Sequence, residues 1–547
     1  MVMRDVPIGI QDFKEIRDNG YYFVDKSDLI VRILEKPATK AFLFTRPRRF
    51  GKSLNLSMMD AFLNIRYAGN TWFDGLSVSA RKDLESRKNS FPVACFDFKD
   101  LNVDTYDSFL AGMANKVADL YRVNSVVLED IQDPKLRKDS NDLRMGTSDE
   151  DVLSRSIQTL TVLMQEHYGS KAVVLIDEYD NPIHSAYGKD DFERILNFMK
   201  IMMGSLLKGN ESLHFAVITG VMQITKGSIF SGLNNLSVNN ILSRSFDEMF
   251  GFTSDEVRRL CEDHGHPEKY DEAKDWYDGY CFGDAEIYNP WSVLNYVDSG
   301  FRPYPYWAGT SGNSIIEDLL DSADPDTYRA LQMLGSGQSI SRRIDPTVTY
   351  HGLDKDRTAI YSMMVMTGYL TAVPNEYDYD IRIPNREMYG EFAKFTLAPL
   401  DSTVAEGMNR FTNALVRNDT ATMEGALYDI FDQTLGFRFL DHEKDYQLFI
   451  TGMLLTLAGR YRVTADKESG NGFHDLLMEC RDGRTPNIVF EFKRRRERGP
   501  PAEEMARRAL DQIRRKDYAH GLKGDTILYG VVFDSKAPVI LSDRISL

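Results

Sequence analysis

The chain is 547 residues long, too long for one ordinary hydrophobic core; at ~100–200 residues per domain, three or four units are expected. Hydrophobic residues make up 42% and charged residues 27%, the balance of a globular protein in water. With 82 acidic residues against 66 basic ones the formal net charge is −16, which excludes a protein that coats nucleic acid by bulk electrostatics but leaves room for a local basic groove.

The four cysteines, Cys95, Cys261, Cys281 and Cys480, are far apart. They exclude a disulfide scaffold and, with no C-x-x-C pair, a Cys-based zinc site. The one close histidine pair, His264 and His266, lies in a polar Asp-His-Gly-His-Pro stretch that reads as a turn. No apolar run reaches the ~18 residues of a spanning helix. The N-terminus Met-Val-Met-Arg-Asp has no apolar core resembling a signal peptide. The expected address is therefore the cytoplasm, with no membrane partner.

Residues 1 to about 300 alternate short apolar runs with amphipathic helical stretches, an α/β pattern. Four runs, Ala41–Phe44, Pro92–Phe96, Ala172–Ile176 and Phe215–Ile218, are continuously apolar, as strands of a parallel sheet buried on both faces are.

Directly after the first run comes Thr45-Arg46-Pro47-Arg48-Arg49-Phe50-Gly51-Lys52-Ser53, then the helical Leu54–Phe62. Strand, loop, Gly-Lys-Ser and helix is the context of a phosphate-binding loop. Gly51 lets the backbone approach a phosphate, Lys52 supplies a point charge, Ser53 offers a hydroxyl to Mg²⁺, and the helix N-terminus adds N–H donors. The usual motif has glycine where Arg46 stands, so this loop is stiffer and more basic than usual. The third run ends in Asp177-Glu178. With the loop upstream on a neighbouring strand, Asp177 is read as the Mg²⁺ carboxylate and Glu178 as the group that orients the attacking water. Thr219, closing the fourth run, is a candidate sensor of the terminal phosphate or a strand-end turn.

At this point the chain resembles the AAA-ATPase-like family of bacterial and archaeal proteins. The resemblance rests on Tyr22 with Asp25-Lys26-Ser27, Arg46–Leu54, Asp177-Glu-Tyr-Asp180, Ser228–Asn235, Phe250-Gly-Phe252, Trp276–Tyr280 and Tyr288-Asn-Pro-Trp291, in one order over roughly the first 310 residues. It implies an ATPase core at 1–235 and a helical lid at 236–310, with ATP and Mg²⁺ as cofactors. It also makes the Arg46 loop that family's own form, with residues 46–54, Asp177 and Thr219 about the nucleotide. Arg244 is a candidate for an arginine reaching the terminal phosphate, against a plain salt-bridged arginine.

Residues 311–430 read as mostly helical, with a β-like patch at Tyr377–Ile383 and no legible chemistry. The last part reads as helix, hairpin, strand, helix. Asp482-Gly483 between two β-like runs is a hairpin signal. In Ile488–Lys493, alternation puts Glu491 and Lys493 on one face and turns Phe490 and Phe492 to a core. With Asp475 on the partner strand, two carboxylates and a cation meet. Hard oxygens of Asp475 and Glu491 suit Mg²⁺ or Mn²⁺, and Lys493 suits a water or a phosphate. The competing reading is a surface ladder of cross-strand charges.

This order, with a helix from Glu443 and another carrying Gln512, is similar to the PD-(D/E)XK nuclease superfamily. The resemblance covers 431–547 and implies Glu443, Asp475, Glu491, Lys493 and Gln512 as the site, in a restriction-endonuclease-like α/β fold. His474 stands where the superfamily name has proline, Phe473 stands where fused relatives have arginine, and Glu468 rivals Glu443. Lys493-Arg-Arg-Arg496, Arg498, Arg507-Arg508 and Arg514-Arg-Lys516 form a basic cluster nearby. Beside a phosphodiester site it is read as a phosphate-binding face, and the absence of aromatics within it argues against base stacking. The expectation is an ATPase joined to a metal-dependent nuclease acting on DNA or RNA, with self-association open. The alternatives are a nucleotide-switched binding module with an inactive nuclease fold, and an ATPase with a structural C-terminal domain.

Overall fold

A computed structural model describes residues 4–546 apart from 102, 225–228, 231–234, 308–315, 317–318, 321–323, 336, 349–357, 398–401, 435–442, 455–456, 458–459, 470–471, 482, 484, 496–498 and 535–536. For some residues within helices and strands, among them Glu443, Glu468 and Phe473, only the backbone is described. The chain forms two compact units, one of Met1–Trp307 with Arg343–Gly368 and one of Ala308–Arg342 with Tyr369–Leu547.

The first unit is built on a five-stranded sheet of β1 (Ala41–Thr45), β2 (Val93–Asp97), β3 (Ala172–Asp177), β4 (Leu213–Gly220) and β5 (Leu236–Asn239). Every pairing is parallel, in the order β2-β3-β4-β1-β5. All residues of β1 and β3 are buried, as their unbroken apolar runs require when helices cover both faces. The covering helices include α1 (Lys52–Leu63), α2 (Tyr106–Val123), α3 (Ser156–Tyr168) and α4 (Phe192–Leu207). A reciprocal cap between Thr105 and Ser108 starts α2, and Gly169 at φ 68° ends α3. Phe42, Phe44, Val173, Leu175, Phe215 and Val217 pack with Phe62 and Phe73 into one core.

One expectation is corrected here. The strand ending in Asp177 does not neighbour the loop-bearing strand, because β4 lies between them. Apolar runs state that strands are buried, not which ones pair. The intervening strand places Thr219 between the loop and Asp177.

Beyond β5 lie β6 (Phe252–Thr253), α5 (Ser254–Asp263), α6 (Tyr270–Tyr277), the hairpin β7 (Tyr280–Phe282) and β8 (Ala285–Tyr288), and α7 (Pro290–Asp298). A Thr253–Glu256 capping box starts α5, and Asn289 caps α7 ahead of Pro290. Gly265, at φ 77°, turns the chain between His264 and His266. The Ser228–Asn235 block falls mostly outside the described residues. Later in the chain, Thr347–Val348 pairs in parallel with Gln223–Ile224. Then α8 (Ala359–Thr367) ends at Gly368, whose φ is 92°. A Cβ at Gly368 would stand 2.9 Å from Cβ of Pro47, so only glycine allows that approach.

In the second unit, α9 (Ser402–Arg417), α10 (Thr420–Thr434) and α11 (Glu443–Leu454) pack with a five-stranded sheet. Its strands are β9 (Tyr461–Ser469), β10 (Gly472–Cys480), β11 (Asn487–Arg494), β12 (Asp525–Asp534) and β13 (Ala537–Ser546), in sequence order. All neighbours are antiparallel except β11 and β12. That parallel pair needs a crossover, which is α12 (Ala502–Lys516). The strand Tyr379–Arg382 falls within the expected β-like patch. Asp482 of the expected hairpin turn lies outside the described residues, while Gly483 has φ 64°. Phe490 and Phe492 are buried and stack on Tyr529 and Phe533 with centroids 5.1 and 6.1 Å apart, confirming the alternation.

Candidate functional sites

The loop between β1 and α1 is held by packing rather than by glycines. Arg46, read among the nucleotide-contacting residues, turns its side chain into the fold. Its guanidinium is fully buried and donates to the carbonyls of Thr45 (2.9 Å), Asn239 (2.8 Å) and Phe246 (3.1 Å). The rings of Phe250 and Phe282 flank it at 5.1 and 5.3 Å. Burial lowers its pKa to about 9, and with three carbonyls around it the cation serves the fold. Phe50 packs edge-on to Tyr280 at 5.0 Å and against Phe282 at 5.1 Å. Arg49 is exposed, with φ 71°, and lies over Trp291 at 4.3 Å. The Arg48 carbonyl accepts from Trp307 Nε1 at 3.4 Å. Leu54 packs on the core.

Gly51, at φ 81°, takes the left-handed turn into α1. The Lys52 ammonium is buried and donates to the carbonyls of Arg46 (3.0 Å) and Pro47 (2.9 Å). Burial pushes its pKa down to about 8. Asp177 gathers three donors: Ser53 Oγ at 2.5 Å, Thr219 Oγ1 at 2.5 Å and the Glu178 N–H at 3.1 Å. Glu178 has φ 53°, and burial raises its carboxyl pKa. Strain of this kind concentrates where a side chain must be aimed.

Several supporting residues carried no individual sequence reading. Asp180 accepts from the N–H groups of Val221 and Met222, both at 2.8 Å, and Tyr179 donates to the Met222 carbonyl at 2.8 Å. Together they fasten the chain leaving β4 and so hold Thr219. The signal was the Asp-Glu-Tyr-Asp run itself. Lys99 donates to Ser53 Oγ at 3.2 Å and lies 3.6 Å from Asp177 Oδ2; nothing in the sequence marked it. Arg244 is exposed and pairs with Asp284 at 3.0 Å, the salt-bridged alternative.

The second site forms on β10 and β11. Their register runs Leu476↔Phe490, Leu477↔Val489 and Met478↔Ile488, and Asp475 and Glu491 are the residues next to the Leu476–Phe490 pair on each strand. Asp475 Oδ2 accepts the Phe492 N–H at 2.7 Å. Glu491 is buried, and its Oε1 accepts from Lys493 Nζ at 2.6 Å and from Gln512 Nε2. Gln512 also donates to Tyr518 Oη at 3.3 Å. The structure thus brings Glu491, Lys493 and Gln512 together beside Asp475. Glu443 heads α11, but its side chain lies outside the described residues. One turn later, buried Gln447 donates to the Asp475 carbonyl at 2.5 Å, a contact that spacing alone could not reveal.

Gly530 pairs with Glu491 across β11 and β12. A Cβ there would collide with the Ala506 carbonyl oxygen. This glycine therefore lets α12 close onto the sheet and carry Gln512 to Glu491.

The basic face reads differently in the structure. Arg495 pairs with Asp534 at 2.6 Å, Arg507 with Glu503 at 2.8 Å, Arg508 with Glu504 at 2.5 Å, and Arg514 with Asp511 and Asp543. Much of the run is charge-balanced within the domain, which shrinks the surface that could hold phosphates; Arg496 and Arg498 lie outside the described residues.

The donors suit the implied ions. A hydroxyl and a carboxylate at Ser53 and Asp177 match the few protein ligands of nucleotide-bound Mg²⁺, and two carboxylates at Asp475 and Glu491 match Mg²⁺ or Mn²⁺. Among the described residues no three His, Cys, Asp or Glu groups form a metal cage, and no helix is long and apolar enough to cross a membrane.

A parallel sheet with a Gly-Lys-Ser loop facing an Asp-Glu strand end is the architecture of a P-loop NTPase. Residues 7–230 match the family model described as a predicted AAA-ATPase, and residues 441–542 match that of the PD-(D/E)XK nuclease superfamily. The chain carries an AAA-ATPase-like domain followed by a PD-(D/E)XK nuclease-superfamily domain. A protein of Azotobacter chroococcum mcd 1, named an uncharacterized protein in vnfD 5'region, is 28% identical over 434 residues, covering 77% of this chain and 75% of that protein.

Proposed function

We propose that the chain binds and hydrolyses ATP with Mg²⁺ at Gly51–Ser53 and Asp177–Glu178, and cleaves nucleic-acid phosphodiesters with Mg²⁺ or Mn²⁺ at Asp475, Glu491 and Lys493. The observation that carries the nuclease reading is the meeting of Lys493 and Gln512 on buried Glu491, next to Asp475.

In the first site the N–H groups at the start of α1 receive the phosphates, with Lys52 turning from the loop carbonyls to them. Ser53 and Asp177 hold the ion, which when bound neutralises phosphate charge. Glu178 accepts a proton from the attacking water, and burial, by raising its carboxyl pKa, makes it a stronger base for that task. Thr219 keeps Asp177 in register. In the second site Asp475 and Glu491 would hold the ion, with Glu443 as the further ligand the resemblance implies, and the ion when bound would polarise a phosphodiester. Lys493 positions the attacking water or meets the developing charge, and Gln512 orients Glu491. The cytoplasm remains the proposed location.

Full-length protein with Mg²⁺ or Mn²⁺ is expected to cut DNA, with RNA as the second substrate, and Asp475→Asn and Lys493→Ala to abolish cutting. Cleavage unchanged in both variants would overturn the nuclease assignment. Nucleotide-dependent retention on nucleic acid without cleavage would favour the binding-module alternative.

A further inference from the structure

Lys99 is absent from every motif that marks the nucleotide site, yet it is built into it. Its root is fixed. The Lys99 N–H donates to Asp97 Oδ1 at 3.0 Å, the Phe98 N–H to the Asp177 carbonyl at 3.1 Å, and Asn181 Nδ2 to the Phe98 carbonyl at 2.9 Å. Its tip donates to Ser53 Oγ at 3.2 Å and to Gln11 Oε1 at 2.9 Å, and stands 3.6 Å from Asp177 Oδ2. Ser53 and Asp177 are the two groups proposed to hold Mg²⁺. A magnesium ion binds its oxygens at ~2.0–2.1 Å, so an ammonium this close to the same two oxygens faces it across a few ångströms, where like charges repel strongly.

We infer that Lys99 is a built-in counter-cation of the nucleotide site, which a divalent ion must displace and which therefore lets the ion enter only in company with a phosphate chain. The inference rests on the nucleotide reading above. Alone, a divalent ion gains one carboxylate and one hydroxyl here while displacing a cation already in place. Arriving with nucleotide, it brings its own anions, and the displaced ammonium has phosphate oxygens to meet. The four-carbon stem of lysine permits that move with the backbone held.

The test is Mn²⁺ binding followed by electron paramagnetic resonance, with and without a non-hydrolysable ATP analogue. The full-length protein carries Asp475→Asn and Glu491→Gln to silence the second site. Lys99→Met keeps the stem and removes the charge. It is expected to tighten Mn²⁺ binding without nucleotide by about ten-fold or more, and by less with the analogue present. Lys99→Arg is expected to stay near the parent. Adding Asp177→Asn to Lys99→Met should abolish the gain, and thermal unfolding should show each variant folded. Mn²⁺ affinity without nucleotide that is unchanged or weaker in folded Lys99→Met overturns the inference while the nucleotide reading stands. If the parent binds neither analogue nor Mn²⁺ at this site, the nucleotide reading fails and the inference fails with it.

Discussion

The two candidate sites hold their carboxylates by different means. In the first, Asp177 is tied by two hydroxyls, Ser53 and Thr219, from the loop and from the strand inserted beside it. In the second, Asp475 is tied by a backbone N–H, and Glu491 by a lysine two residues along its own strand and a glutamine from a helix. The first site is assembled by strand order and the second by strand alternation and helix approach. A site of the first kind concentrates its chemistry in contiguous motifs at strand ends. A site of the second kind scatters it, and a change in packing reaches it more directly.

That contrast can be broken by experiment. The largest effect is expected from Asp475→Asn or Lys493→Ala, which should lower cleavage at least about a thousand-fold while nucleotide binding, read by a fluorescent ATP analogue, is kept. Lys52→Ala should do the reverse. It should weaken analogue binding about a hundred-fold or more, the scale of losing a charge-assisted contact, and leave the Mn²⁺ requirement of the second site in place. Gly530→Ala probes helix approach alone. Overpacking against Ala506 should cost ~1–3 kcal/mol in denaturant unfolding and reduce cleavage about ten-fold. Normal cleavage in a folded Gly530→Ala protein would show that the close approach of α12 at Gly530 is not needed for cutting.

A fourth measurement concerns pH. Burial has lowered the Lys52 pKa to about 8, and phosphates beside the ammonium would raise it again. Below pH 8 the lysine is already charged, so analogue affinity should be flat. Above pH 8 binding must take up a proton, so the dissociation constant should rise, by at most ten-fold per pH unit. The smallest effect is expected from Gln447→Leu, which removes one hydrogen bond to the Asp475 carbonyl and should weaken Mn²⁺ binding at the second site a few-fold.

Local chemistry was readable from the sequence, and long-range partners were not. The buried runs of β1, β3 and β4, the turn at Gly51 and the alternation of Glu491 with Lys493 all follow from neighbours a few residues apart. The surroundings of Arg46 were not readable because its partner carbonyls, Asn239 and Phe246, come 193 and 200 residues later; a basic residue in a phosphate loop carries no local sign of such partners. The order of the sheet escaped for the same reason, since apolar runs carry burial but not pairing. Lys99 and Gln447 are ordinary surface-type residues by pattern, and only tertiary packing gives them their contacts.

The closeness of Gly368 to Pro47 bears on how this chain can be taken apart. The residues that press on the phosphate-type loop arrive only after an excursion through 308–342, which belongs to the other unit. A fragment cut at Trp307 would keep every recognisable ATPase motif yet lose α8 and the strand pair made by Thr347–Val348, and the remaining fragment would take those segments away with it. No single scission separates the two units, so the independence of the two proposed activities must be examined with point substitutions in the intact polypeptide.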